Sequence, residues 1–116
     1  MKQPISQKNA KSYLWGENAK GWWLVDNPHL SVVEEIAPPG NAEIRHMHHQ
    51  SRQYLYVIEG EATVSIEHDD FVLHAGEGVE IPPKTYHQFR NESGKDVRYL
   101  VISSPKSTND RKSFDW

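Results

Sequence analysis

The chain has 116 residues, 7 histidines, no cysteine and a formal net charge of −3. That length allows one domain with its own core and leaves no room for a second. Without cysteine there are no disulfides, thiol nucleophiles or thiolate metal ligands, and interspersed charge with no basic stripe argues against nucleic acid as a partner. No apolar run is long enough to span a bilayer and no basic-then-apolar leader is seen, so the expectation is a cytoplasmic protein whose partner is a small molecule, not a membrane.

In chain order, residues 1–20 are polar and weakly periodic, and read as an N-terminal arm around Tyr13-Leu14-Trp15. A barrel domain is expected over 21–104 and a solvated tail over 105–116. Trp22 to Val25 forms a short strand closed by Asp26-Asn27-Pro28, and Leu30 to Ile36 forms another, stopped by Pro38-Pro39-Gly40. Ala42 to His48 follows. Gln53 to Ile58 and Ala62 to Glu67 read as a hairpin about Glu59-Gly60-Glu61. Phe71 to His74, Val79 to Ile81, His87 to Arg90 and Val97 to Ser103 complete the set. No helical period of useful length appears. Short strands punctuated so often by glycine and proline predict an all-β sandwich or barrel, with an antiparallel jelly roll as the best fit.

Two spacings carry the chemistry. The first is Gly40-x5-His46-x-His48-x4-Gln53-x6-Gly60 and the second is Gly76-x5-Pro82-x-Lys84-x2-His87-x3-Asn91. His46 and His48 are two apart, so an extended strand sends both from one face. The same alternation puts Ile44 with them and turns Arg45 and Met47 outward. Gln53 heads the next apolar run on a face shared with Leu55 and Val57, and His87 arrives from a later hairpin beside Phe89. Imidazoles suit zinc, copper, iron and nickel, so His46, His48, His87 and Gln53 are the expected ligands of one divalent transition metal ion (Zn, Ni, Mn or Fe), with Gln53, a weaker neutral donor, alternatively supporting a ligand or contacting substrate. His29, His49, His68 and His74 have no such spacing and read as ordinary surface or strand residues.

Together the two spacings resemble the paired motifs of small single-domain cupins, G-x5-H-x-H-x3-4-E-x6-G and G-x5-P-x-G-x2-H-x3-N, over roughly Leu30 to Ser104. Gln53 replaces the usual glutamate and Lys84 a glycine. The resemblance implies a double-stranded β-helix, the jelly-roll cupin barrel. It runs toward the mannose-6-phosphate-isomerase-like cupins and, through the His-x-His…Gln…His set, toward cupins that ketonise unsaturated uronates. Lys84 stands where the family has glycine, so its turn must either avoid positive φ or tolerate strain.

Glutamine bears on mechanism. Three neutral imidazoles and an amide leave the charge of a divalent ion uncompensated, which makes it a stronger Lewis acid. That favours isomerisation, tautomerisation or water elimination on a sugar, sugar acid or similar hydroxy-carbonyl compound. An iron-dependent dioxygenase and a non-catalytic sugar-binding barrel are the alternative readings. On the last strand a buried unpaired Arg98 would be costly, so Arg98 is expected outward and Tyr99 inward. Glu34 or Glu35 could supply a general base, only one of the two neighbours being able to face inward; the alternative is that both are solvated rim charges. Tyr99 and Glu34 are taken as the candidate catalytic side chains. Tyr54 and Tyr56 fall on the outer face.

One of Trp22 and Trp23 is expected in the core. The other, with Trp15 and the terminal Phe114-Asp115-Trp116, offers apolar surface needing cover, and the resemblance to small cupins implies a homodimer formed through N-terminal strands. A dimeric mass at micromolar concentration is the expected outcome of light scattering, and a monomeric mass contradicts it.

Overall fold

The computed structural model describes residues 3–113. Eleven strands and no helix occur among them: β1 (Ser12–Trp15), β2 (Ala19–Asn27), β3 (Leu30–Ala37), β4 (His46–His48), β5 (Arg52–Glu59), β6 (Glu61–Ile66), β7 (Asp69–His74), β8 (Gly78–Ile81), β9 (His87–Arg90), β10 (Val97–Ser104) and β11 (Arg111–Ser113). They form a six-stranded sheet in the order β1-β2-β3-β10-β5-β8 and a five-stranded sheet in the order β11-β4-β9-β6-β7. Every pairing is antiparallel.

From β3 onward the chain changes sheet at every connection except β6 to β7. This is the all-β jelly roll expected above. It also corrects one detail, because Glu59-Gly60-Glu61 is not a hairpin. β5 pairs with β10 and β8, while β6 pairs with β7 and β9, so the turn carries the chain across the sandwich. Gly60 makes the corner at φ +93°, and a Cβ there would lie 2.6 Å from the backbone oxygen of Asp96.

On the strands that line the core's polar end, β4, β5 and β9, alternate residues turn inside, the ordinary consequence of a pleat. On β5, Gln53, Leu55 and Val57 are buried, while Tyr54 and Tyr56 stack on the outer face with ring centroids 6.2 Å apart. Leu55, Val57, Ala62, Val64, Leu73, Ile81, Phe89, Val97 and Tyr99 make the apolar core. Phe89 of one sheet stacks on Tyr99 of the other, centroids 4.4 Å apart, so the two layers meet ring to ring.

Strands also lie outside the 21–104 bounds. Ser12–Trp15 is the outermost strand of the six-stranded sheet, and its Trp15 packs on the core, 6.1 Å from Phe89. Trp22 is buried and Trp23 half-buried, but Trp22 stands opposite Glu34 on the outer face, where Gln7 of the N-terminal segment reaches over to Glu34. The expected solvated tail is in part a strand, because Arg111–Ser113 pairs with β4. The apolar residues at 114–116 lie outside the described residues.

Lys84 sits at φ +61° and keeps its backbone N–H on the His48 carbonyl, 2.7 Å away. The turn tolerates left-handed backbone at a non-glycine residue. The corner at Gly60 is less forgiving. Gly60→Ala combines positive φ with a backbone clash and is expected to cost about 2–3 kcal/mol, read as a lowered urea midpoint at unchanged m-value.

Candidate metal centre

The site is assembled from both sheets. β4 and β9 present His46, His48 and His87 from the five-stranded sheet, with His46 directly opposite His87. All three are buried, and one ligand atom from each can be chosen so that the three lie within 4.8 Å of one another. Ring centroids are 4.4 Å apart for His46–His87, 5.0 Å for His46–His48 and 5.7 Å for His48–His87.

Backbone carbonyls fix two of the rings. His46 Nδ1 meets the Ile44 oxygen at 2.7 Å and His87 Nδ1 meets the Thr85 oxygen at 2.9 Å. With Nδ1 occupied as the donor, Nε2 of each keeps the free lone pair a metal needs. His48 Nδ1 is buried with no protein partner. Three close imidazoles with free or orphaned nitrogens fit a metal ion well, since a buried polar atom left unpaired is costly.

Their protonation agrees. Burial, and then the neighbouring His87, push His46 down to about 3 and His48 down to about 4; burial lowers His87 as well. All three are therefore neutral at pH 7, the state that ligates. Arg111 adds to the depression of each, because β11 lays it beside β4. The residue before it, Asp110, holds the turn between His48 and Gln53 by accepting the N–H groups of His49, Gln50 and Ser51 at 3.1, 2.8 and 2.8 Å. Neither role was visible in a tail that reads as polar.

The six-stranded sheet supplies the facing wall. A cavity of about 50 Å³ is bounded by His46 and His87 on one side and by Gln53, Glu35 and Tyr99 on the other, with Glu43, Leu55, Phe89 and Val101 completing it. The amide nitrogen of Gln53 donates to Ser103 Oγ at 3.0 Å, which leaves the carbonyl oxygen for a ligand. A separate cleft of about 400 Å³ among Gly16–Asn18 and Pro38–Ala42 contains none of these groups.

Tyr99 faces the cavity and Arg98 faces outward, as the cost of burying arginine demands. Glu34 is a correction. It lies on the opposite face of β3, where Arg98 and Gln7 bond its carboxylate at 3.1 and 2.7 Å. Glu35 is the neighbour that turns inward, and the phenols of Tyr99 (2.7 Å) and Tyr13 donate to its two oxygens. Ile44 is a second correction: it precedes β4, is 65% exposed, and does not share the inner face of His46 and His48. His29, His49, His68 and His74 take no part in the cluster.

Glu43 went unread because it falls between the motif glycine and the first histidine, outside any strand. Its side chain is three-quarters buried and lies in the cavity wall, where Oε1 accepts the Phe89 N–H at 3.0 Å and stands 4.0 Å from His46 Nδ1. Burial pushes its carboxyl from 4.5 up to about 8, and it raises Glu35 as well. The site thus sets neutral imidazoles beside Glu43, a carboxyl that keeps its proton near neutrality.

With this geometry in view, the comparisons with known proteins are informative. The cupin domain family matches residues 32–103. The chain belongs to the cupin family. An uncharacterized protein of Methanocaldococcus jannaschii is 31% identical over 75 residues, covering 65% of this chain and 60% of that protein. The polyketide synthase CurC of Streptomyces cyaneus is 34% identical over 70 residues, covering 60% of this chain and 46% of its own length. The cupin chain thus spans only about half to three-fifths of these relatives. The solved structure of the polyketide cyclase RemF from Streptomyces resistomycificus superposes with a TM-score of 0.85 at 17% identity, covering 100% of this chain and 87% of RemF, which speaks to the fold alone.

Opposite pH slopes follow for the metal-free protein. The histidines take up protons at about 6.5 when unfolded but only near 3 to 4 when folded, so stability falls as pH drops from about 6.5. Glu43 does the reverse: folded, it holds its proton to about 8, so stability also falls as pH climbs from about 4.5 through 8. Thermal melts of metal-free protein should show both limbs, and Glu43→Gln should flatten the alkaline one. An alkaline limb unchanged in that variant contradicts the assignment.

Proposed function

We propose that this cupin is a metal-dependent enzyme that moves protons on an enolisable carbonyl compound, by isomerisation, tautomerisation or water elimination. The observation that carries the reading is the convergence on one small cavity of two neutral histidines of the three-histidine cluster, His46 and His87, with two largely buried carboxyl groups, Glu35 and Glu43. Strongly perturbed acids and bases converging in a cleft mark a functional site more often than a structural one.

His46, His48 and His87 would hold the ion, with the Gln53 carbonyl oxygen as fourth ligand, and zinc, nickel, manganese or iron would suit this donor set. A divalent ion held there supplies Lewis acidity toward a carbonyl oxygen. The chain's own contribution is proton handling. Glu43, neutral up to about pH 8, can donate a proton at neutral pH, as a general acid must. Leu55, Phe89 and Val101 supply the apolar part of the cavity lining.

Cavity size bears on the substrate. About 50 Å³ accepts an ion and one small functional group, well below the roughly 300–1,000 Å³ of sites that enclose a drug-sized ligand. The reacting carbonyl would enter and the rest of the molecule would stay at the mouth. A second reading, cyclisation of a polyketide chain, draws on the likeness to CurC and RemF and uses the same chemistry, since ring closure also begins with proton removal beside a carbonyl.

Elemental analysis comes first, with about one metal ion per chain expected and none in the variant carrying His46→Ala and His48→Ala. The loaded protein is then incubated with hydroxyacetone in D2O, and deuterium at the carbons beside the carbonyl is followed by NMR. Incorporation is expected, reduced on the order of 100-fold in Glu43→Gln, the scale of a lost general acid or base. No incorporation with any of the four metals overturns the catalytic reading in favour of a binding barrel.

A further inference from the structure

Four strands of the six-stranded sheet place one residue each in a single row. Tyr13 of β1 stands opposite Gly21 of β2, Gly21 opposite Glu35 of β3, and Glu35 opposite Tyr99 of β10. Were Gly21 any other residue, its side chain would fill the gap between Tyr13 and Glu35. A Cβ at Gly21 would lie 2.2 Å from Cζ of Tyr13 and 2.4 Å from its hydroxyl. The tyrosine ring therefore lies across β2 over the glycine, braced by Trp23 with centroids 5.6 Å apart, and its hydroxyl reaches the far oxygen of Glu35. Tyr99 takes the other oxygen at 2.7 Å. Tyr13 is half-buried at the edge of the sheet, Tyr99 is 1% exposed, and both Glu35 and Tyr99 line the cavity beside the histidines.

We propose that Tyr13, Glu35 and Tyr99 form a proton relay from the sheet edge to the metal-site cavity, with Gly21 as the position that lets Tyr13 close it. The proposal deepens the functional reading above, on which it rests for its purpose. A largely buried cavity that moves protons on a substrate needs a route by which they exchange with solvent. Each hop forms one O–H bond and breaks one. Tyr13 accepts a proton from water as it passes its own to Glu35, and Glu35 passes that proton to Tyr99 as Tyr99 delivers its own to the molecule in the cavity. Each group ends in the protonation state in which it began, and removal of a proton runs the same row backwards. Other titratable groups in the cavity wall are Glu43, His46 and His87, none of which bridges to the sheet edge. Tyr13 never touches the substrate; it is a positioning and relay residue supplied by a strand outside the family-matched span of 32–103.

Two readouts test the relay, one of them independent of catalysis. In metal-free protein transferred to D2O, exchange of the buried Tyr99 hydroxyl proton is followed by the infrared shift of its C–O–H band on deuteration, assigned by its loss in Tyr99→Phe. Tyr13→Phe, which keeps the ring and removes only the hydroxyl, should slow that exchange on the order of 100-fold. Equal rates in the two proteins overturn the relay, whatever the catalytic result. With hydroxyacetone and zinc-loaded protein, Tyr13→Phe should lower kcat with KM unchanged and raise the solvent isotope effect, and added phenol should restore rate to Tyr13→Ala. A rise in KM alone, or no rescue, assigns Tyr13 a purely structural part and overturns the proposal. If the wild-type protein itself does not act on hydroxyacetone, the functional reading fails separately, and the infrared rates alone decide the relay.

Discussion

The arrangement depends on β10 lying between β3 and β5. Its antiparallel register sets Tyr99 against both Glu35 and Val57, Val101 against Val33 and Leu55, and Ser103 against Ser31 and Gln53. A slip of one residue would turn each of these side chains to the opposite face, since side chains alternate with period two. Tyr99 would leave Glu35, Gln53 would lose Ser103, and Arg98 would enter the core. The apolar face of the strand makes that slip expensive, so the same burial that stabilises the barrel fixes the polar wall of the site.

The second sheet meets this wall with its histidines. Its own register is local at the crucial point, where one β4–β9 pair sets His46 opposite His87. What aligns the two sheets is the packed layer between them, chiefly Phe89 on Tyr99. The site is thus a by-product of sandwich packing at one end of the core. Burial there has two chemical effects with one cause: removal from water disfavours charge on any group. The histidines are kept neutral, the form that can ligate, and the Glu43 carboxyl keeps its proton near neutrality.

The chain's flanks extend this logic beyond the central barrel. Asp110 gathers three backbone N–H groups of the turn that spaces His48 from Gln53, and Arg111 adds positive charge near the imidazoles. On the other side, β1 brings Tyr13 over Gly21. Both flanks act on the site by strand addition to a sheet edge, which also covers edges that would otherwise expose unpaired backbone groups.

Much of this was legible in the residues alone. Alternation on β5 and β10 assigned Gln53, Leu55, Val57 and Tyr99 inward and Tyr54, Tyr56 and Arg98 outward, because a pleated strand has only two faces and arginine has one affordable side. Spacing of His46, His48 and His87 within two glycine-framed motifs identified the cluster, since so few arrangements of three imidazoles recur with those turns. Other features were decided only by tertiary structure. Glu34 and Glu35 are chemically equivalent in sequence, and only the partner strand determines which one the cavity receives. Glu43 belongs to no periodic segment, so its burial arises from Phe89 on a strand more than forty residues later. Gly60 reads as a hairpin turn until the pairing shows that its two strands belong to different sheets. Tyr13 and Arg111 are distant from the motifs along the chain and reach the site through hydrogen-bonded edges, a relation that local pattern cannot encode.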